Sequence, residues 1–108
     1  MKERRIGMSD EVHFDAAYVP SVDVVAREIE GEIVIIPLAS DIGDIEDELY
    51  TLNETGQAIW RKLDGTRPLR RVAEELAAEF EAPANDIERD VLGLVRELVS
   101  RRMVVKKS

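Results

Sequence analysis

One segment in the middle of the chain most constrains its fold, because it sets the order of a strand, a helix and a turn. It spans residues 52–65. Asn53 is a strong N-cap residue, since its side chain can accept a hydrogen bond from a free amide of the first helical turn. Apolar residues then recur at helical spacing, and Gly65 can adopt the left-handed conformation that stops a helix. A short helix is therefore predicted here, in a segment with no side chain suited to covalent chemistry.

Three strands are predicted before this helix. Residues 21–27 and 33–36 are rich in β-branched residues, and the Glu30-Gly31 pair lies between them. Two such runs around a glycine-containing turn predict a β-hairpin. Residues 48–52 are predicted to form a third short strand with an apolar residue on each face, so neither face is expected to be fully exposed to solvent.

Two longer helices are predicted after Gly65. Pro68 suits the first turn of a helix, and the apolar residues up to Phe80 keep helical spacing. Asn85 and Glu88 form an analogue of the capping box, which opens the longest helix, to about Arg102. Residues 103–105 could add a terminal strand. The order predicts an α+β fold of the winged helix-turn-helix type, with a three-stranded antiparallel sheet followed by three helices.

The chain is long enough for one domain with a single core. Residues 1–20 have no sustained periodicity and are predicted to be a mobile N-terminal tail, and residues 21–108 to be the domain. The chain has no apolar run long enough to span a bilayer and no hydrophobic signal region, so a cytoplasmic location without membrane contact is expected. The absence of cysteine excludes disulfides and thiolate chemistry.

The charge of the chain argues against nucleic-acid binding. The chain has 23 acidic and 15 basic residues and a formal net charge of −8. No Lys or Arg occurs between Arg27 and Arg61, and four of the nine carboxylates in that stretch fall in an acidic loop at residues 38–47. Phosphate backbones repel such a protein unless its basic residues are segregated.

The acidic residues are also the only candidates for catalysis or metal binding. General acid–base chemistry needs carboxylates held at fixed separations in different environments, which a solvated loop does not provide. The spacing does not match an EF-hand, and His13 has no second ligand near it. No catalytic residue, cofactor or metal site is therefore predicted. The carboxylates considered for calcium are Asp41, Asp44, Glu46 and Glu48.

A winged-helix DNA-binding or regulatory module is the alternative function. Basic residues cluster between residues 61 and 71, where the first helix meets the second. The helix that would enter the major groove, however, mixes carboxylates with its arginines. The acidic members are Asp86, Glu88, Asp90 and Glu97.

Peptide binding by strand addition is the other mechanism that the pattern permits. The third helix has an apolar arc of about 160°, wider than the roughly 100° stripe of an ordinary surface helix. Beside a short third strand, this excess could form a groove for an extended peptide. The simpler alternative is that strand and helix are both core, or that the apolar surface attaches a structural subunit to a larger enzyme.

An ordered set of cap, turn and apolar residues connects these elements. The set is Leu52-Asn53-x-Thr55-Gly56-x-x-Ile59-Trp60-x-x-Leu63-Asp64-Gly65, then Val72-Ala73-x-x-Leu76, then Ile87-x-x-Asp90-Val91-x-x-Leu94-Val95-x-x-Leu98. It resembles the PqqD family of small peptide chaperones, also called precursor-peptide recognition elements, over about residues 22–105. The N-terminal extension, the acidic loop and Pro68 depart from the family pattern.

The resemblance implies that the domain binds the leader segment of a ribosomally made precursor peptide as an added strand. It also implies a modifying enzyme as partner, typically a radical S-adenosylmethionine protein, in pyrroloquinoline quinone synthesis or a related pathway. Asn53, Gly56, Asp64 and Gly65 would be structural. Dimerisation through the exposed strand edge stays open. The predicted peptide-binding residues are Glu48, Leu49, Tyr50, Thr51, Leu52, Val91, Leu92, Val95, Leu98 and Val99.

The acidic loop gives one further hypothesis. If it lies near the groove, it favours a basic leader and raises the association rate at low salt. Equal leader affinity at low and high salt would argue against this role.

Overall fold

The computed structural model describes residues 12–38 and 49–107, which form two β-sheets and three helices. The strands are β1 Tyr18–Pro20, β2 Val24–Ile29, β3 Glu32–Pro37, β4 Tyr50–Leu52 and β5 Val104–Lys106. The helices are α1 Glu54–Arg61, α2 Leu69–Phe80 and α3 Ala84–Ser100. This α+β architecture confirms the predicted fold class, including the terminal strand.

The predicted hairpin is present as β2 and β3. Ile29 pairs with Glu32 across the two-residue turn Glu30-Gly31. Both turn residues have positive φ, 52° and 83°, as a type I′ turn requires, and this turn matches the twist of the strands.

The three-stranded antiparallel sheet has the order β2-β3-β4. Ile33 lies opposite Leu52, and Ile35 opposite Tyr50. Because directly paired residues point to the same face, one face of the sheet presents Ile33, Ile35 and Leu52 to the core, where all are buried.

The domain begins earlier than the predicted boundary at residue 20. Strand β1 pairs antiparallel with β5, and Tyr18 is only 2% exposed. The Tyr18 hydroxyl accepts a hydrogen bond from the amide of His13. Residues 12–20 are therefore packed into the fold, and residues 1–11 lie outside the described residues.

The helix α2 explains why this N-terminal segment is needed. Its N-cap residue, Pro68, makes no side-chain capping bond, so the first amides of the helix need other acceptors. The backbone carbonyls of Ala16 and Phe14 accept from the amides of Leu69 and Arg70 at 3.0 and 2.9 Å.

The predicted helix ends are partly right. Asn53 caps α1, accepting from the Gly56 amide at 2.8 Å. Gly65 is left-handed, with φ 81°, but α1 has already ended at Arg61. Asn85 is not the N-cap residue, because α3 begins at Ala84. The N-cap residue is Pro83, whose carbonyl already accepts hydrogen bonds from the amides at positions 86 and 87.

One core joins the sheet to all three helices. Its fully buried large side chains are Ile35, Leu52, Ile59, Leu69, Leu76, Leu98, Val72, Val91, Val95 and Val104. Within the described part of the chain, no helix has both the length and the apolar composition needed to cross a bilayer.

A candidate peptide groove between β4 and α3

A groove lies between β4 and the outer side of α3. Its cavity volume is about 480 Å³, within the range of natural small-ligand pockets. The strand and the start of α1 form one wall, and α3 forms the other. The lining residues are Tyr50, Thr51, Leu52, Asn53, Thr55, Gly56, Ile59, Arg89, Asp90, Gly93, Leu94 and Glu97.

The strand wall carries backbone hydrogen-bonding groups. β4 pairs with β3 along one edge, and among the described residues no strand pairs with its other edge. Along any strand, alternate residues direct amide and carbonyl groups to each edge. The free edge of β4 therefore offers donors and acceptors to an extended chain.

Some of the strand residues that were predicted to bind the peptide lie in this wall. Tyr50, Thr51 and Leu52 all line the groove. Leu49 precedes β4, is 37% exposed and is not a lining residue. Glu48 lies outside the described residues.

The predicted helix residues do not form the groove wall. Val91, Val95 and Leu98 are 0% exposed and belong to the core. Leu92 and Val99 are half-buried and pack against the core, and neither lines the groove. The physical reason is that the broad apolar arc packs into the core against α1, α2 and β5, so its excess width is used in packing.

The groove instead uses the adjacent face of α3, which the sequence analysis did not select. Arg89, Gly93 and Glu97 are spaced four residues apart, so they form one row along the helix, and Asp90 and Leu94 form the next row. One signal was available. Glycine inside a helix costs about 1 kcal/mol relative to alanine, so Gly93, inside a 17-residue helix, needed an explanation.

Arg101 connects the two walls at one end of the groove. Its guanidinium lies 4.8 Å from the centroid of the Tyr50 ring, a cation–π distance. The Arg101 Nε also donates to Glu97 at 2.6 Å. The start of β4 is thus held beside the C-terminal end of α3.

The junction of β4 and α1 requires close packing. A Cβ added at Gly56 would lie 3.2 Å from both the Asn53 Oδ1 and the Leu52 Cδ2, which is tighter than ordinary van der Waals contact. Gly56 therefore lets the first turn of α1 approach the end of the strand. Asn53 and Gly56 have the structural roles predicted for them, and both also line the groove.

A network of ion pairs around Glu75 fixes α1 against α2. Its carboxylate contacts Lys62 at 3.1 Å, Arg67 at 2.5 Å and Arg71 at 3.1 Å. The hydrogen bond from Lys62 and the charge of Arg67 hold the pKa of Glu75 below its usual value. Hydrogen bonds to Glu79 and Glu75 raise the pKa of Lys62.

The turn before α2 is held by Asp64. Its Oδ1 accepts from the Thr66 hydroxyl at 2.7 Å and from the Thr66 amide at 3.0 Å, and these bonds lower the pKa of Asp64. Most of the basic residues between 61 and 71, which were considered for DNA binding, therefore form ion pairs within the protein.

The chemistry of the groove is that of binding. It combines a free strand edge, one large apolar side chain on α3 and charges of both signs. Within residues 12–38 and 49–107, no group of three or more His, Cys, Asp or Glu side chains could hold a metal ion. The acidic loop considered for calcium lies outside these ranges.

Comparison with known proteins gives the family. Residues 32–104 match the family described as Coenzyme PQQ synthesis protein D (PqqD). The chain belongs to the PqqD family. The matched region contains the β3–β4 pair, all three helices and therefore both walls of the groove.

Similar proteins carry a common name. The "PqqA binding protein" of Xanthomonas oryzae pv. oryzae (strain PXO99A) is 41% identical over 58 residues, which are 54% of this chain and 63% of that protein. The "PqqA binding protein" of Rhizobium meliloti (strain 1021) is 42% identical over 58 residues, which are 54% of this chain and 59% of that protein. The chain thus spans less than two thirds of the length of these relatives.

One solved structure has a similar fold. TbiB1, in a structure described as "TbiB1 in Complex with the TbiA(beta) Leader Peptide", superposes with a TM-score of 0.65 at 23% sequence identity. The match covers 80% of this chain and 93% of that one. At this identity the likeness establishes a shared fold.

Proposed function

We propose that this protein is a non-catalytic peptide-binding adaptor. It binds the leader segment of a ribosomally made precursor peptide in the groove between β4 and α3, and presents the rest of the peptide to a modifying enzyme. The observation that carries the proposal is the free edge of β4 facing a helix wall across a cavity of about 480 Å³.

The free edge supports binding by strand addition. An extended peptide placed along β4 would extend the β2-β3-β4 sheet, and its main-chain hydrogen bonds would supply affinity independent of sequence. Alternate side chains of an added strand point to opposite faces. One set would face α3, and the wall of α3 would then choose among peptides.

The lining of α3 determines which side chains of a peptide the groove would accept. The valine and leucine residues of α3 that were predicted to bind the peptide pack in or against the core. A single large apolar side chain of α3, Leu94, lines the groove, with Arg89, Asp90 and Glu97 around it. The leader is therefore expected to combine apolar contact with charged or polar side chains, and not to be uniformly apolar.

The comparisons support the same class of ligand. The relatives are named for binding PqqA, and the structural neighbour was solved with a leader peptide. The partner enzyme rests on the family resemblance, which implies a radical S-adenosylmethionine protein. In this proposal the adaptor makes and breaks no covalent bond.

The DNA-binding alternative is disfavoured by the position of α3. A recognition helix must present its exposed face to the major groove and its phosphates. The side of α3 that lines the cavity faces β4 and carries Asp90 and Glu97 beside Arg89, so it is not free to enter a major groove.

The test is selection of ligands followed by mapping. The purified protein is panned against a phage-displayed library of short random peptides, and an enriched peptide is titrated into isotope-labelled protein. We expect the amide resonances of Tyr50–Leu52 and of residues 89–97 to shift, and amide exchange in β4 to slow.

Two results would overturn the proposal. One is that no peptide is enriched over an unrelated control protein. The other is that enriched peptides shift resonances at β2, the opposite edge of the same sheet, and leave β4 unchanged. β2 is the internal control because it is also an edge strand but does not line the cavity.

A further inference from the structure

Gly93 occupies the middle of the α3 wall. It lies four residues after Arg89, three after Asp90 and four before Glu97, so these side chains surround it on the helix surface. All of them, with Leu94, line the groove. The α3 wall therefore projects least into the groove at its centre, because Gly93 is the only residue of this wall without a side chain.

Packing within the protein does not require this glycine. A Cβ added at Gly93 would meet no atom within 4 Å, in contrast to Gly56, where two atoms lie at 3.2 Å. The backbone does not require it either, because Gly93 is not among the glycines with positive φ. A residue unfavourable in a helix interior thus stands where the free protein would accept alanine.

We propose that Gly93 opens a recess in the α3 wall that receives one bulky apolar side chain of the bound peptide. This inference rests on the proposed function and deepens it by naming what the groove selects. A strand added to β4 directs every second side chain toward α3. The one opposite Gly93 gains the space that a larger residue would fill.

The surroundings of the recess favour an apolar occupant. Leu94 provides an apolar surface next to Gly93, and Asp90 and Glu97 lie one helical turn away on either side. An acidic side chain placed there would meet these two carboxylates against the single guanidinium of Arg89. An aliphatic or aromatic side chain would bury apolar surface against Leu94 and the exposed backbone of the glycine.

The experiment compares three proteins against the same phage-displayed library of short random peptides. They are the wild type, Gly93→Leu, which fills the recess, and Ala78→Leu, which adds the same side chain at an exposed position of α2 outside the groove. We expect the wild type and Ala78→Leu to enrich peptides with a bulky apolar residue at one fixed position. Gly93→Leu should enrich peptides with Gly, Ala or Ser there.

A binding measurement makes the comparison quantitative. The best wild-type peptide, synthesised with a fluorophore, should bind Gly93→Leu at least tenfold more weakly and Ala78→Leu within twofold of wild type. The same peptide with its bulky residue changed to Ala should lose affinity for the wild type and much less for Gly93→Leu. Gly93→Ala, with an unfolding midpoint at or above that of the wild type, would show that position 93 tolerates a side chain in the folded protein.

The outcomes separate this inference from the proposed function. Enrichment of the same residue types by the wild type and Gly93→Leu would overturn the recess and leave peptide binding intact. Enrichment of no peptide by the wild type would overturn both. If Gly93→Leu does not fold, Gly93→Ala takes its place, and an affinity of Gly93→Ala equal to that of the wild type would overturn the recess.

Discussion

The two sides of α3 differ in what they do, although both contain apolar residues. On one side Val91, Val95 and Leu98 are 0% exposed and anchor the helix in the core. On the other, Gly93 and Leu94 line a groove shared with β4. A wide apolar arc therefore marks a helix with several packing partners. The proposed binding face has instead a small residue and a mixture of charges opposite a free strand edge.

The largest effect should come from placing a charge on the core side. Val95→Asp would put a carboxylate where no water reaches, and we expect the free energy of unfolding to fall by about 4 kcal/mol or more. Small domains are stable by only about 5–15 kcal/mol, so the variant should be largely unfolded. Urea denaturation followed by circular dichroism measures this. A folded Val95→Asp that has merely lost peptide binding would mean that this side, and not the side of Gly93, is the groove.

The same substitution on the other side should separate binding from folding. Leu94→Asp places its charge at a half-buried groove position that also contacts the core, so stability should fall by about 1–2 kcal/mol, less than for Val95→Asp. Affinity for a selected peptide should fall about tenfold or more, equivalent to about 1.4 kcal/mol. Fluorescence polarisation gives the affinity. Ala78→Asp, an equal charge on an exposed part of α2, is the matched control and should bind normally.

The smallest effect concerns stability alone, far from both sides of α3. Glu75→Gln should lower the unfolding midpoint by a few degrees at neutral pH and leave peptide affinity unchanged, because its partners Lys62, Arg67 and Arg71 lie outside the groove. Thermal melts of both proteins measure the difference.

The pH dependence of that difference has a definite sign. Because the pKa of Glu75 is lowered in the folded state, its stabilisation is present above the unfolded-state pKa of 4.5 and is lost as the pH falls through the lower folded-state pKa. The two melting midpoints should therefore converge in acid. Glu74→Gln, at the neighbouring exposed position, should match the wild type throughout. A gap that persists below the titration of Glu75 would show that the ion pairs are not its cause.

Local signals allowed much of the fold to be predicted. The hairpin followed from β-branched runs around Glu30-Gly31, and α1 from the cap Asn53, because turns and caps depend on a few neighbouring residues. The role of residues 12–20 could not be predicted in this way. They are held by acceptors and donors distant in sequence, such as the amides of Leu69 and Arg70.

The groove was predictable on one wall only. Its strand wall was predicted from the short apolar strand that ends at Leu52. This strand is followed directly by a capped helix, and one of its edges stays unpaired among the described residues. Its helix side depends on the orientation of α3 about its own axis, which is set by packing against α1, α2 and β5. The apolar pattern of a helix shows which side is buried, but it does not show how far around the helix the buried surface extends. That is why Val91 and Val95 were expected in the groove and Gly93 was not.

The pairing of β1 with β5 has a consequence for how the protein is made. The first and last described strands lie side by side, with Tyr18 opposite Lys106, so this sheet closes only after the intervening chain has been synthesised. Contacts so distant in sequence slow folding, because a long loop must be closed before they form. On the ribosome, the hairpin and helices can form early, but Tyr18 finds its partner strand only when residues 104–106 have emerged. Closure of the β1–β5 sheet is thus a late step in folding.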